Sequence, residues 1–544
     1  MYRSLRLLLL SLILVLASFL RLSSLDTLPP SPYWEEVALG YDAYSILKTG
    51  KDHHGNPWPV VAFESFGDWK PSLYFYTVVP SVALFDLSVW AVRFPSALAG
   101  ILTVLCTYLL IREILTDRKY KDSVSLLTAF FLAVTPWHIL TSRVAFETNL
   151  GSFLVTLGSW LFYSWKRKKS LLALLLSSIS FALSLYSYHG FRVFTPLLVT
   201  FLVISSYKTL LASKKTVALS FAVFVLLTLP VLIKMRDPQV TQRFGQTSAF
   251  ATLEPILQSN AAIAKHGGSL VARLLHHRFW YYGKIFTENY VSHFSSNFLF
   301  IKGDENLRHS VGLIGQLYWV QLPLILLGLF YLFRNKTWNM GFIVGWLLLS
   351  PVAAGVTKAT PHALRALPMV IAFSALAAFG LGSLLMNIRS LPFKKTVNRE
   401  ISFAVLLLGL GLTLFETTRF YDYYQHFYPK KTSQLWQYGY GEMVDYIEGN
   451  KESYDQVIVT RDQGRPAMYY WFYTKEDPRK VQEWDKLSPK DQGEYLQFEN
   501  IYFGIEPNEK GKRLIVTTAP SETGRLLKTI PALDGSEAFL IYED

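Results

Sequence analysis

The chain has 544 residues, of which 51% are hydrophobic and only 17% charged, and its mean hydropathy is +0.25. That balance excludes an ordinary soluble domain and points to an integral membrane protein with many spans. The net charge of +13 matches the Lys and Arg excess that polytopic membrane proteins carry in cytoplasmic loops, so nucleic acid is not expected as a partner. The single Cys106 excludes an intramolecular disulfide and a cysteine-based metal site.

A span needs about 20 mostly apolar residues. Roughly eleven segments qualify in chain order: 5–22, 91–111, 123–137, 150–165, 170–188, 193–207, 216–233, 316–333, 338–356, 366–387 and 401–418. The first has Arg3 and Arg6 at its head but is not followed by a small-residue cleavage site, so a retained anchor is expected rather than a signal peptide. Alternate loops hold Arg112 and Lys121, the run Lys166-Arg167-Lys168-Lys169, Lys208 with Lys214, Arg334, and Arg389 with Lys394. These are read as cytoplasmic, together with the N-terminus.

The opposite set of loops carries the unusual polar residues. Loop 23–90 holds Trp34-Glu35-Glu36, Asp42, Glu64, Asp68 and Lys70, and its Pro57, Pro59, Pro71 and Pro80 predict short amphipathic pieces along the membrane surface. Loop 138–149 contributes Arg143 and Glu147, which share a face if helical. Tyr188, His189 and Arg192 follow. The long loop 234–315 brings His293, Asp304 and His309, and the last brings His362 and Arg365. An odd span count puts residues 421–544 on this outer side too. Their runs at 456–460, 513–518 and 538–542 read as strands and 433–448 as helix, which predicts a small α/β domain after a transmembrane domain of residues 1–420.

Carboxylates with convergent Arg and Lys suit one chemistry. A carboxylate deprotonates an acceptor hydroxyl while cations neutralise a departing phosphate. A sugar on a polyprenyl phosphate would be the donor, its tail held in the bilayer; no P-loop or GxGxxG signature calls for a nucleotide. Adjacent helical residues diverge by about 100°, so only one of Glu35 and Glu36 is expected to face the reaction. The histidines at 266, 276, 277, 293 and 309 lack a diagnostic spacing, and no metal or other cofactor is predicted.

The span pattern, the acid pair after the first span and Asp68-Trp69-Lys70-Pro71 resemble the membrane glycosyltransferases of the GT-C class, nearest the protein O-mannosyltransferase and aminoarabinose-transferase superfamily (family 39 and its bacterial relatives). The resemblance covers roughly residues 1–420. It implies that Glu35 stands where the family has its catalytic Asp and Glu36 where it has Glu. It also implies that Lys70 is the lysine that approaches the lipid phosphate, with Asp68 beside it, and that Glu147 is the acid of the second external loop. Arg143, Tyr188, His189, Arg192, His362 and Arg365 are similar to patterns in bacterial relatives.

The expectation is therefore a polytopic α-helical GT-C protein of the plasma membrane with an extracytoplasmic α/β domain. It would transfer a sugar, with inversion, from a polyprenyl-phosphate donor to a hydroxyl of a protein, glycolipid or glycan. Glu35, Glu36 and Asp68 form the catalytic set and Lys70, Arg143, Arg192 and Arg365 the phosphate-binding set. Glu147, Tyr188, His189, His293, Asp304 and His362 contact substrate. The alternatives are a lipid or glycan transporter, which would place ionisable groups inside spans, a scaffold acting through residues 421–544, and a metal-dependent oligosaccharyltransferase of the same fold class.

Overall fold

The computed structural model describes residues 3–115, 118–334, 341–507, 511–521 and 524–544; the head of the 338–356 segment lies outside these. Each of the eleven apolar segments contains helix. Among the described residues, six helices are long and apolar enough to cross a membrane: Arg3–Leu22, Val89–Ile114, Phe191–Leu211, Lys214–Lys234, Met369–Arg389 and Lys395–His426. Lys121–Val134 and Pro136–Ser142 make a seventh if the 60° bend between them is counted within one span. Leu171–Ser184, Gln321–Arg334 and Gly341–Gly355 are apolar but shorter. Glu147–Lys168 has the length, but it buries Thr148, Asn149, Ser152, Thr156 and Ser159 along its inner face. The chain is a multi-pass membrane protein.

The structure divides into two compact units. The first comprises Met1–Ala17, Gly100–Thr141 and Thr148–Thr418 and is helical among its described residues. Within it, helices Gln321–Arg334 and Met369–Arg389 approach to backbone distance. A Cβ on Gly380 would stand 2.0 Å from the Leu324 carbonyl oxygen, and one on Gly328 2.2 Å from that of Leu376. Small residues permit this close contact, which supplies packing where lipid offers no hydrophobic drive.

The second unit comprises Ser18–Ala99, Ser142–Glu147 and Arg419–Asp544. The strands expected near the C-terminus are present in a six-stranded sheet ordered Gln497–Phe498, Ile501–Phe503, Gln456–Val459, Arg513–Thr517, Glu537–Glu543 and Arg525–Pro531. Gln456–Val459 runs parallel to both neighbours and is buried throughout, as a strand covered on both faces must be. Helix Tyr440–Asn450 occupies the end of the expected helical stretch.

Helix Trp34–Thr49 belongs to this same unit and is fastened to the C-terminal segment. The Trp34 N–H donates to Gln437 Oε1 at 3.1 Å and the Tyr41 hydroxyl to the Glu476 carbonyl at 3.0 Å. Gln482 Nε2 reaches Ser45 Oγ at 3.1 Å and Thr49 Oγ1 at 3.0 Å. Residues 50–90 carry more regular structure than short amphipathic pieces. They hold an antiparallel hairpin, Ala62–Ser65 with Asp68–Pro71, and the apolar helix Leu73–Phe85, which contains Pro80. The turn residues Phe66 and Gly67 both have positive φ (55° and 70°), which suits a two-residue hairpin connection.

Candidate active site

The hairpin explains how Asp68 and Lys70 act together. Strand residues two apart share a face, so both project to the same side, while Glu64 pairs across with Trp69 on the other. Lys70 is buried, and its Nζ lies 2.8 Å from Glu35 Oε1 and 3.4 Å from Asp68 Oδ2. Glu35 is 23% exposed and Asp68 25%, so both carboxylates remain reachable. Glu147, the first residue of its helix, joins this cluster electrostatically. Burial pushes its carboxyl up to about 7, Lys70 opposes the shift and Glu35 adds to it. Arg465, at the start of helix Pro466–Thr474, stacks over the Phe66 ring at 4.1 Å and the Trp34 ring at 5.9 Å. It pairs with Glu494 at 2.6 Å and feels the charge of Glu35. Arg465 was not legible in the sequence, because Trp34, Glu35 and Phe66 lie about 400 positions before it.

Glu36, expected in the catalytic set, points the other way. Its carboxylate is 1% exposed and accepts four hydrogen bonds. Two come from Arg93 Nε and Nη2, each at 2.9 Å, and two from the Ala145 and Tyr33 amides at 3.0 and 3.3 Å. Arg93 also donates to the carbonyls of Leu25, Pro29 and Ser31. Arg93 and Glu36 thus clamp the 25–36 segment together. Arg143 likewise departs from expectation. Residues 143–146 are not helical, no ion pair joins Arg143 to Glu147 among the described residues, and the guanidinium donates to the carbonyls of Leu20, Ser23, Ser24 and Leu28. It straps the chain that leads into the acid pair.

One further buried pair lies on the Trp34–Thr49 helix. Asp42, fully buried, accepts from the His53 amide at 3.0 Å and contacts His53 Nδ1 at 2.7 Å. Burial drives the Asp42 carboxyl up to about 7. The two groups hold the helix to the 51–57 turn.

In the other unit, Tyr188, His189, Arg192 and Arg365 line one cavity of about 240 Å³, with Val193, Met235, Ala353 and Val356 supplying apolar wall. Arg192 Nη1 lies 3.2 Å from His189 Nδ1, and its Nε donates to the Leu185 carbonyl. Its buried Nη2 has no hydrogen-bond partner among the described residues. Arg365 Nη1 donates to Thr357 Oγ1 at 2.7 Å. Two guanidiniums in a partly apolar cavity can hold an anionic group. His293, Asp304 and His362 form a separate cluster with His309. His293 Nδ1 meets the Asn289 carbonyl at 2.8 Å and its Nε2 accepts from the His362 amide at 3.0 Å; burial pushes its pKa down to about 4. Burial alone would raise the Asp304 pKa, but the hydrogen bond and charge of His309, with His362 and the Ala363 amide, hold it down to about 2.

Residues 69–233 match the family model described as Dolichyl-phosphate-mannose-protein mannosyltransferase. ArnT from Cupriavidus metallidurans, in a crystal structure bound to undecaprenyl phosphate, superposes with a TM-score of 0.53 at 11% identity over 100% of this chain and 98% of that one. An oligosaccharyltransferase from Archaeoglobus fulgidus gives 0.51 at 12% identity, over 89% of this chain and 57% of that one. A curated relative, "Putative mannosyltransferase YkcB" of Bacillus subtilis (strain 168), is 30% identical over 106 residues. That stretch is 20% of this chain and spans only 14% of the relative. The chain has the GT-C fold shared by these membrane glycosyltransferases, and its residues 69–233 resemble the mannosyltransferase family model.

Proposed function

We propose that this protein transfers a sugar from a polyprenyl-phosphate donor to an acceptor hydroxyl, with inversion, at the extracytoplasmic face of the plasma membrane. The observation that carries this reading is Lys70 held 2.8 Å from the reachable carboxylate of Glu35, on a hairpin and a helix start of the GT-C fold. Glu35 takes the proton of the acceptor hydroxyl, and the resulting oxygen attacks the anomeric carbon. The bond from that carbon to the phosphate oxygen breaks, and its electron pair leaves with the polyprenyl phosphate. Lys70 neutralises that charge as a point cation; within the other unit, the cavity of Arg192 and Arg365 can hold an anionic group of its own. Asp68 holds Lys70, and Glu147 orients sugar or acceptor.

The donor sugar is mannosyl or a related hexosyl or pentosyl group, and the acceptor is a protein, glycolipid or glycan. The test measures transfer of labelled sugar from synthetic polyprenyl-phosphate donors into envelope acceptors by correctly inserted variants. Removing a general base costs about 10²–10⁴-fold, so Glu35→Gln should fall by at least about 100-fold, and Lys70→Ala comparably. Normal transfer by both variants would refute the assignment.

A further inference from the structure

The cluster of Asp304, His309 and His362 is built like a metal site. Each residue offers one ligand atom, and the three atoms lie within 4.8 Å of one another. Asp304 and His309 are 6% and 7% exposed, and Asp304 Oδ2 stands 3.0 Å from His309 Nδ1. Zinc bonds of about 2.0–2.1 Å to nitrogen and oxygen in tetrahedral array set neighbouring ligands roughly 3.3 Å apart, so this separation needs little adjustment to bind an ion. The third ligand carries the unexplained feature. His362 Nδ1 is buried with no hydrogen-bond partner among the described residues, although its ring lies 5.0 Å from that of His309. An Asp–His hydrogen bond would be satisfied without it; a cation would give that nitrogen its partner.

The surroundings hold these ligands in place. Asp304 Oδ2 accepts from the Ala363 amide at 2.7 Å, and its Oδ1 accepts from the Asn306 amide at 2.9 Å. Gln316 Nε2 donates to the His309 carbonyl, and His293 Nε2 accepts from the His362 amide. Outer contacts of this kind fix ligand orientation around bound metals. Trp137 Nε1 to the Ala363 carbonyl, at 3.0 Å, and Thr148 Oγ1 to that of Leu364, at 2.8 Å, pin the segment that carries His362.

We propose that Asp304, His309 and His362 bind a zinc-type divalent cation that ties loop 303–310 to segment 361–365. The donor set of two imidazoles and one carboxylate suits zinc, with water as the fourth ligand. The ion does structural work. It fixes the segment whose next polar residue, Arg365, lines the cavity with Arg192. This inference stands apart from the assignment of Glu35 and Lys70, because its readouts are metal content and stability rather than transfer.

Full-length protein in detergent, stripped with chelator and dialysed, is given zinc alone; bound metal is measured by mass spectrometry and unfolding by thermal melt. About one zinc per chain is expected, with a melting temperature that rises on zinc addition and falls on chelation. Asp304→Asn, which keeps one acceptor oxygen for either the Ala363 or the Asn306 amide, and His362→Ala should each bind zinc at least about tenfold more weakly and lose the zinc-dependent rise. His426→Ala, at an exposed histidine elsewhere, should behave as the parent. Wild-type protein that binds no zinc, or an Asp304→Asn variant that elutes as a monodisperse peak and binds zinc as tightly as the parent, would overturn the proposal.

Discussion

Two adjacent glutamates have opposite fates because a helix turns them apart. Glu35 meets Lys70 on the hairpin, and Glu36 enters the clamp with Arg93. Removing one member of a buried pair leaves an uncompensated charge, which costs about 3–5 kcal/mol. Arg93→Met should therefore destabilise the protein by that amount, whereas Arg93→Met with Glu36→Gln should recover most of it; a thermal-melt series in one detergent measures both. Equal losses for single and double variants would show that the clamp is not the source.

Glu147 belongs to the same scale. In the unfolded chain its carboxyl loses its proton near its usual value of 4.5, whereas burial in the fold keeps the proton on up to about 7. Between those values the unfolded state binds fewer protons, so this group's contribution to stability is full below about 4.5, declines as pH rises and is lost above about 7. Melts of the wild type from pH 4.5 to 8 should show that decline, and Glu147→Gln should flatten it. An unchanged slope in the variant would remove Glu147 as the cause. The clamp itself was hard to read from sequence: Arg93 lies inside an apolar span, and its partner lies 57 positions earlier.

At the scale of elements, the hairpin decides whether Asp68 and Lys70 act together. Gly67 holds φ at 70°, where a β-branched residue is strained, at a cost of about 1–2 kcal/mol. Gly67→Val should lower stability by that amount and, by shifting the second strand, weaken transfer more than Asp68→Asn does; melts and transfer assays on both variants decide it. The sequence shows the Gly but hides the turn, because the residue before it is Phe rather than a turn former. The glycine contact between Gln321–Arg334 and Met369–Arg389 is a second case. Gly380→Leu should cost at least about 2 kcal/mol by overpacking, seen as a lower melting temperature and reduced yield of folded protein. Both helices were legible as apolar segments; their approach at Gly328 and Gly380 was not, since it depends on which faces meet.

At the scale of the molecule, the segment beyond the last long helix is part of the unit that carries Glu35. Gln437, Glu476, Gln482 and Arg465 all touch the 34–67 region, so it is more than a separate appendage. Truncation after residue 418 should leave residues 18–99 poorly folded. Limited proteolysis should then cut within 23–72, where the full chain resists; equal protection in both would argue that the 18–99 region folds alone.

Composition and hydropathy by themselves determined a multi-pass helical protein, because burial in lipid demands long apolar helices. The acid pair, the Lys-Pro segment and the span pattern together determined its class. Tertiary structure alone decided which glutamate meets Lys70, that Arg143 serves backbone carbonyls, that Arg192 and Arg365 share a cavity, and that Asp304, His309 and His362 converge. Those outcomes depend on the direction of individual side chains and on partners tens to hundreds of residues away, and periodicity along one chain records neither.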